Sequence, residues 1–426
     1  MIAPLLVTAL LHAAPQEEAT PVDASADLSL AHLPAPAAAD ANRWPAFRGA
    51  GSGHTTATLP LTWSETEHLA WRRELAGFGQ SSPVVWDGVV VVTSVSGEEK
   101  ETCHVTALSL GTGEVRWQRD LDASQRVPSS EMVSRGAPSP AVDAERIVAF
   151  FESGDLFALR HDGEPLWHRS LCTEYGPFEG NHGVASSVVL HAGSIYLLLD
   201  HEGASYLVCI DAASGENRWK LDRASRVSWS TPVVDATGGQ LLVSSNGVLQ
   251  GIDLEGGEVR WETEVRGNTV ASPTVLGDVV VVGSSEAAGN VLARIDAGAA
   301  ATERVLWTAR GARPSGFGSP LVADGSVFLV NKSGSLSCLD LTTGESRWDL
   351  DLAEGTWASP IAAGGRLYFF GKEGRTTVVA AREDGGEVLA TNALETEGTV
   401  YGAAAVEGRV LLREGTRLTC VAASAD

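Results

Sequence analysis

The chain has 426 residues, with 54 acidic and 31 basic side chains and a formal net charge of −23. This charge opposes binding to phosphate backbones and anionic lipid surfaces, and no run of Lys and Arg offsets it, so nucleic acid is excluded as a partner. The chain is 44% apolar, which is enough to bury a large core, and its 46 glycines are spread along it, which predicts many tight turns.

The first 43 residues predict an export signal followed by a tether. Residues 1–14 form an apolar run that ends in small residues, as in a cleaved signal peptide; a flexible tail is the alternative. Residues 15–43 are rich in Ala and Pro and poor in aromatics, which predicts a disordered linker. No cysteine follows the leader before Cys103, and no later segment reaches the roughly 18 to 20 apolar residues of a membrane span. We expect a soluble, monomeric protein in the periplasm or outside the cell.

A repeat of 40 to 57 residues organises the sequence from residue 44 onwards. Each copy begins with a small residue and a proline, and a run of Val, Ile and Leu follows, as in SSPVVWDGVVVVTS from Ser81. The proline or its equivalent falls at positions 83, 140, 187, 232, 273, 320, 360 and 403. Between these positions lies a second signature, such as TALSLGTGEVRW, which ends at Trp117. Runs of roughly 4 to 8 β-branched and aromatic residues between turn signals predict strands, and four strands in each unit is the spacing of propeller blades.

The two ends of the repeat region predict how the ring closes. The unit that starts at Gly402 stops after its third strand, whereas the segment from His68 to Leu75 has the features of an unpaired outer strand. Trp71 in this segment stands 12 residues before Pro83, the spacing found in other units. We therefore predict an all-β fold over residues 44–426: an eight-bladed propeller of four-stranded blades, closed by an N-terminal strand that completes the last blade.

The second signature resembles the tryptophan-docking motif of the pyrroloquinoline-quinone (PQQ) repeat propellers. It is clearest from Ala107 to Trp117, from Cys209 to Trp219, from Gly251 to Trp261 and from Cys338 to Trp348, and the resemblance covers about residues 44–422. The family includes quinoprotein alcohol dehydrogenases and the non-catalytic BamB-like propeller of outer-membrane protein assembly. The resemblance implies a girdle of tryptophans between adjacent blades, each with an indole N–H available to a carbonyl. In the last copy Ala390 replaces the tryptophan.

Motif searches assign no catalytic residue and no metal site. Cys209, Cys338 and Cys420 occupy the same slot in different repeats, too far apart to pair, whereas a bridge between Cys103 and Cys172 is left open. The sequence has no CxxC pair, nucleophile elbow or phosphate-binding loop, and its histidines lack metal-ligand spacing.

Two features are candidate binding surfaces. The first is a pair of long loops, 117–140 and 167–187, which should rise on one face at adjacent blades. Their candidate residues are Glu131, Arg135, Tyr175, Phe178, Asn181 and His182. Decoration of the rim is the alternative interpretation of these loops.

The second candidate surface is a collar around the axial channel. It consists of the residues two positions before each repeated Ser or Thr: Gln80, Ala137, Val184, Trp229, Val270, Phe317, Trp357 and Val400, with Tyr401 beside the last. Of these, Gln80, Trp229, Phe317, Trp357 and Tyr401 are the candidates to hold an extended peptide or a planar ligand. Packing between the inner strands is the alternative.

These features predict a non-catalytic scaffold without cofactors that binds envelope or secreted proteins, similar to the outer-membrane assembly propeller. The alternative is an oxidoreductase that holds PQQ and Ca²⁺ in the channel. Calcium takes roughly six to eight oxygen ligands, and Glu179, Asn181 and Asp200 are the only cluster that the sequence offers.

Overall fold

The computed structural model describes residues 34–130, 133–267, 270–284, 290–309 and 316–423. The proposed signal peptide and Glu131 lie outside the described residues. Strands dominate the described ranges, joined by the five-residue helix Leu171–Tyr175 (α1) and the 3-10 turn Ala301–Glu303. None of the helices in these ranges has the length and apolar character needed to cross a membrane.

The strands follow one another in repeating groups. The chain begins with Ala38–Ala39 (β1), His54–Thr55 (β2) and Leu69–Glu74 (β3). Seven groups of four strands follow: Val84–Trp86, Val89–Ser96, Thr102–Ser109 and Val115–Asp122 (β4–β7); Ala141–Val142, Ile147–Phe150, Asp155–Leu159 and Pro165–Ser170 (β8–β11); Val189–His191, Ser194–Leu199, Tyr206–Asp211 and Asn217–Asp222 (β12–β15); Val233–Asp235, Gln240–Ser245, Val248–Asp253 and Val259–Glu264 (β16–β19); Thr274–Leu276, Val279–Val282, Val291–Arg294 and Val305–Thr308 (β20–β23); Leu321–Ala323, Ser326–Val330, Ser335–Asp340 and Ser346–Asp351 (β24–β27); Ile361–Ala363, Arg366–Phe370, Arg375–Arg382 and Gly385–Ala393 (β28–β31). The last strands are Val400–Val406, Arg409–Glu414 and Arg417–Ala422 (β32–β34).

The sheets correct the prediction of eight uniform four-stranded blades. In the described residues seven sheets have four strands, whereas the sheet that contains β28–β31 has six. The two additional strands are β2, which pairs in parallel with the inner strand β28, and β1, which pairs in parallel with β2. An inner strand has a free edge of N–H and C=O groups, and here the N-terminal segment fills it. Strand β1 and the buried Ala39 also correct the prediction of a disordered linker over residues 15–43, because the end of that stretch is paired and packed.

The N-terminal strand β3 completes the sheet of the last three strands. It pairs antiparallel with β34, so that Trp71 stands opposite Cys420. We call this β3–β34–β33–β32 sheet the closing sheet. The pairing joins the two ends of the chain, as the unpaired strand at the N terminus and the incomplete last unit predicted.

The repeated tryptophans lie between neighbouring sheets. Six indole N–H groups donate to a carbonyl of the next sheet: Trp71 to Leu110, Trp117 to His161, Trp167 to Ala212, Trp219 to Leu254, Trp307 to Leu341 and Trp348 to Arg382. In six sheets a small residue faces the tryptophan across the strands, such as Ala107 opposite Trp117 and Cys209 opposite Trp219, whereas Leu292 stands opposite Trp307. The cysteines therefore serve as small apolar residues. All five are buried and free, so Cys103 and Cys172 form no bridge.

The hydrophobic core is divided among the interfaces between sheets. One buried cluster joins the β4–β7 sheet to the β8–β11 sheet, and equivalent clusters join each following pair. The largest cluster joins the β28–β31 sheet, the closing sheet and β4–β7, and it includes Trp44, Leu59 and Trp63 from the N-terminal segment. This radial packing fixes the inner strands around a common axis, where the candidate site lies.

Candidate functional site: a cup on the ring axis

A cavity of about 370 Å³ lies where the inner ends of the blades meet. We call it the cup. Its upper wall is formed by one residue from each blade: Gln80, Ala137, Ala185, Trp229, Val270, Phe317, Trp357 and Tyr401. The structure thus brings all five candidate collar residues together in one cavity.

Two collar positions differ from the prediction. Ala185 lines the cup instead of Val184, which is buried in the core between blades. The adjacent Ser186 and Ser187 both fit the repeat pattern, and the structure places Ser187, not Ser186, at the Ser-Pro position. In the closing sheet, a register irregularity between Val400 and Gly402 turns Tyr401 to the cup.

One side of the cup is a continuous row of aromatic rings, which we call the aromatic arc: Phe317, Trp357, Tyr401 and Phe78. The Phe317 ring stacks on the Trp357 ring with 4.0 Å between ring centres, and Trp357 meets Tyr401 edge to face with 5.4 Å between ring centres. Tyr401 in turn meets Phe78 edge to face at 5.8 Å. These are favoured geometries for aromatic pairs. Trp357 is nevertheless 38% exposed, which is unusual for so large an apolar side chain.

Both ends of the aromatic arc carry a cation. The Arg135 guanidinium lies 3.6 Å from the centre of the Phe78 ring, and the Lys332 ammonium lies 4.4 Å from the centre of the Phe317 ring. On the opposite side of the cup, Trp229 donates its indole N–H to the Gly183 carbonyl and meets His182 edge to face. Among the described residues, no carboxylate lines the cup.

Below the collar, a ring of hydroxyl groups encircles the axis. We call it the hydroxyl belt: Ser82, Ser139, Ser187, Thr231, Ser272, Ser319 and Ser359. The backbone N–H of each member donates to the hydroxyl oxygen of the next, from Ser82 to Ser359, at 2.9 to 3.1 Å. Gly402 takes the eighth position, and a Cβ there would lie 2.5 Å from the Ser82 hydroxyl oxygen. The sequence showed the repeated Ser or Thr, but the belt exists only once all inner strands align.

The N-terminal segment 44–55 crosses below the hydroxyl belt and forms the floor of the cup. Trp44 pairs with Val85 of an inner strand, and the Gly53 carbonyl accepts from Ala362 on the other side of the ring. Phe47 lines the cup itself. The Arg48 guanidinium donates to the carbonyls of Pro273 and Pro320 and to Thr274. The segment therefore closes the axial channel that the sequence predicted.

Two buried arginines adjoin the hydroxyl belt. Arg48 binds the carbonyls of the prolines that follow Ser272 and Ser319, and Arg413 faces Gly402 across β32 and β33. Both side chains are almost fully buried, and burial lowers the pKa of each guanidinium to about 9. Both groups are still protonated at neutral pH. Among the described residues, neither forms an ion pair with a carboxylate. The charge of the nearby Glu414 carboxylate nevertheless raises the pKa of Arg413 and so opposes part of the effect of burial.

The long-loop candidates separate into two groups. His182 lines the cup, and Arg135 lies over the Phe78 ring at the end of the aromatic arc. Arg135 is held by its backbone, which exchanges hydrogen bonds with Gln80, and by a buried pair beneath the loop. In that pair, Lys100 donates to the Ser134 carbonyl while the Glu152 carboxylate accepts from the Gly136 N–H. Burial raises the pKa of Glu152.

The other loop candidates lie away from the cup. Tyr175 packs edge to face on Tyr206, and its hydroxyl accepts from Asn217. Phe178 is buried against Phe150, so it serves the core. Asn181 is exposed and does not line the cup.

The cluster proposed for calcium does not form a site. Both oxygens of Asp200 accept from Arg223, at 2.8 and 3.2 Å, and the pair is fully buried. Glu179 is instead on the surface. The described part of the chain has no group of three or more His, Cys, Asp and Glu side chains that could hold a metal ion.

One hydrogen-bonded chain of side chains could not be predicted from the sequence, because its three members come from three different strands. The Ser96 hydroxyl contacts the His104 Nε2 atom at 2.8 Å, and the His104 Nδ1 atom contacts Asp120 at 2.7 Å. The histidine holds the pKa of Asp120 below its ordinary value. The hydrogen-bonded chain borders β5, β6 and β7 and does not reach the cup. It ties three strands together.

Comparisons with known proteins agree with this architecture. The family model described as outer membrane protein assembly factor BamB matches residues 55–225 and 203–425. The outer membrane protein assembly factor BamB of Yersinia pestis is 25% identical over 268 residues, which cover 59% of this chain and 64% of the relative. The chain thus spans just under two-thirds of that relative.

Solved structures show the same fold at low identity. BamB from Moraxella catarrhalis has a TM-score of 0.62 at 15% identity and covers 84% of this chain and 98% of its own. A europium-containing methanol dehydrogenase has a TM-score of 0.66 at 11% identity, covering 88% of this chain and 90% of its own. At these identities the likeness concerns the fold alone.

Proposed function

Because the chain belongs to the family of the outer membrane protein assembly factor BamB, we propose that it is an exported, non-catalytic scaffold that binds envelope proteins during outer-membrane protein assembly. We infer that it acts in the periplasm, since its relatives are named for that assembly process. The apolar leader at residues 1–14 supports export.

The aromatic arc is the observation that supports protein binding most directly. Exposed Trp and Tyr side chains flanked by Arg are the residue types that supply most of the energy at protein interfaces. Here Trp357 is 38% exposed, between ring neighbours that fix its position, with Arg135 at one end of the arc and Lys332 at the other. A fixed aromatic loses little conformational entropy when a partner covers it.

Site-specific photocrosslinking tests this role. A photoreactive phenylalanine analogue placed at Trp357 should capture envelope proteins in cells, whereas the same group at Val259 should not. Val259 is a matched control because it is 40% exposed but lies on the outer strand β19. We expect at least tenfold more captured protein at position 357, identified by mass spectrometry as outer-membrane assembly components. Equal capture at both positions would contradict docking at the aromatic arc.

The quinoprotein alternative makes a different demand on the cup. PQQ with Ca²⁺ needs carboxylate and amide oxygens around the metal. The described cup residues carry no carboxylate, and Asp200 is already paired with Arg223. The residues therefore do not fit the metal, and we propose that the protein works without this cofactor. Titration of purified protein with PQQ and Ca²⁺ tests the proposal by calorimetry and dye-linked alcohol oxidation. Stoichiometric uptake with turnover would refute it.

A further inference from the structure

The hydroxyl belt has hydrogen-bond donors that the protein does not use. Six of its hydroxyl oxygens accept a backbone N–H from the preceding belt member. A hydroxyl has one proton to donate in addition to its acceptor positions. Among the described residues, these six hydroxyl protons have no acceptor within hydrogen-bond distance. Five of these six hydroxyls, all except that of Ser319, line the cup together with Ser82, so their free donors are available to a ligand there.

The electrostatic surroundings of these donors are positive. Arg48 lies directly below the belt, and Arg413 lies on the strand beside Gly402, with two of its guanidinium nitrogens unpaired. A buried cation without a counter-charge is costly, and an anion nearby recovers part of that cost.

The upper wall offers the opposite chemistry. The collar and the aromatic arc present apolar surface from Trp229, Val270, Phe317, Trp357 and Tyr401 above the polar belt. The cup therefore has an apolar mouth and a floor of donors, and the floor is closed by Phe47 and Arg48. Its volume of about 370 Å³ falls within the range of about 300–1,000 Å³ for small-molecule sites.

We propose that the cup binds a carboxylate carried on an apolar body, with the carboxylate at the hydroxyl belt and the apolar body against the aromatic arc. Two sources share this chemistry: the C-terminal end of an apolar peptide and a free aliphatic acid. The proposal goes beyond the scaffold role, although both use the aromatic arc, and crosslinking at Trp357 tests the scaffold role separately.

Calorimetry with matched acid and amide pairs tests the proposal. The peptide arm uses N-acetylleucine and its amide, and the lipid arm uses octanoate and octanamide, each titrated into the full chain at neutral pH. In at least one arm we expect the acid to bind at least tenfold more tightly than the amide, a difference of about 1.4 kcal/mol. The arm that responds identifies the source. Equal affinity of acid and amide in both arms, or no binding in either, would overturn the proposal.

Two belt variants locate the carboxylate. Ser82→Ala removes a hydroxyl that lines the cup and accepts no N–H from the belt, so the backbone ring is kept. It should weaken acid binding threefold to tenfold and leave amide binding unchanged. Ser319→Ala is the control: Ser319 does not line the cup, and its loss removes the belt acceptor of the Ser272 N–H, so this variant reports on damage to the ring alone. Both variants should fold, as circular dichroism can verify, and equal effects of the two on acid binding would contradict the assignment.

Variants of Arg48 separate the contribution of its positive charge to acid binding from the contribution of the hydroxyl groups. Arg48→Lys keeps a cation below the belt, whereas Arg48→Gln removes it. If both variants fold, the acid should lose at least threefold more affinity in Arg48→Gln than in Arg48→Lys. If neither folds, the Ser82→Ala and Ser319→Ala pair decides the question.

Discussion

Six junctions between blades are built by one tryptophan each, whereas the junction between β28–β31 and the closing sheet is built by a segment that precedes the repeats. At a regular junction, the Trp117 indole donates to the His161 carbonyl and lies over Gly163 of the next sheet. At the closing junction Ala390 replaces the tryptophan, and the buried Trp63 joins the same core cluster from the N-terminal side. The Asn392 side chain, two residues after Ala390, accepts from the backbone N–H of Trp63 and donates to the Leu61 carbonyl.

The order of the strands explains this difference. A regular tryptophan packs on the turn between the third and fourth strands of the next sheet. In the closing sheet these two strands, β34 and β3, come from opposite ends of the chain, so no such turn exists. The segment that leads into β3 fills the space instead. The junction between β16–β19 and β20–β23 keeps its tryptophan but not the usual contact. The Trp261 indole donates to the Gln240 side chain of its own sheet, and the Arg304 guanidinium stacks on its ring.

The largest expected effect tests whether the closing junction depends on Trp63. Trp63→Ala should lower the free energy of unfolding by about 3–5 kcal/mol, because the side chain is only 3% exposed and its removal leaves a cavity. Urea denaturation followed by circular dichroism measures the loss. Trp117→Ala is the control at a regular junction and should cost less, since Trp117 is only half-buried. Equal losses for the two variants would show that the closing junction is not special.

The second prediction concerns the glycine beneath a regular tryptophan. Gly163 has φ of +83°, and a Cβ there would lie 2.7 Å from the Trp117 ring. Gly163→Ala should cost about 2–3 kcal/mol, from backbone strain and displacement of the indole together. Gly88→Ala is the matched control, because Gly88 has φ of +77° with no atom within 4 Å of an added Cβ. It should cost only about 1 kcal/mol, and a similar loss in both variants would show that the indole contact contributes nothing.

The contrast between regular and closing junctions also explains what the sequence could reveal. Strands, the tryptophan girdle and the pairing of β3 with β34 follow from a pattern that is repeated, so each copy supports the others. β1 and β2 could not be predicted, because two-residue strands that pair in parallel with a distant edge leave no periodic signal.

At the cup, the repeated positions were predictable and the others were not. Trp357 and Phe317 occupy a repeated slot, whereas Phe78 and Lys332 join the aromatic arc from positions that have no counterpart in other units. The floor formed by Phe47 and Arg48 could not be predicted for the same reason, because it lies outside the repeated units. The pattern predicts Val184 in place of Ala185 because the adjacent Ser186 and Ser187 both fit the repeated Ser position.

The smallest expected effect concerns the turns of the regular units. Asp211 accepts from the backbone N–H groups of Ala213 and Ser214, and it pairs with Arg218 at 2.7 Å. Arg218 is the main cause that holds the pKa of Asp211 well below its ordinary value, so the pair stabilises the fold above the unfolded-state pKa near 3.9, and the contribution is lost as the pH falls through the lowered folded-state value. Asp211→Asn keeps the turn acceptor and should cost about 0.5 kcal/mol at pH 7, as expected for a pair at the surface.

This cost should shrink as the pH falls below about 4, where the unfolded chain takes up the proton. Urea denaturation of both proteins at pH 7, 5 and 3 measures the trend. Asp278→Asn is the control, because Asp278 is an exposed turn residue without an ion pair among the described residues, and its cost should be near zero at each pH. A cost for Asp211→Asn that stays constant down to pH 3 would mean that the lost contribution comes from turn geometry and not from the charge of Asp211.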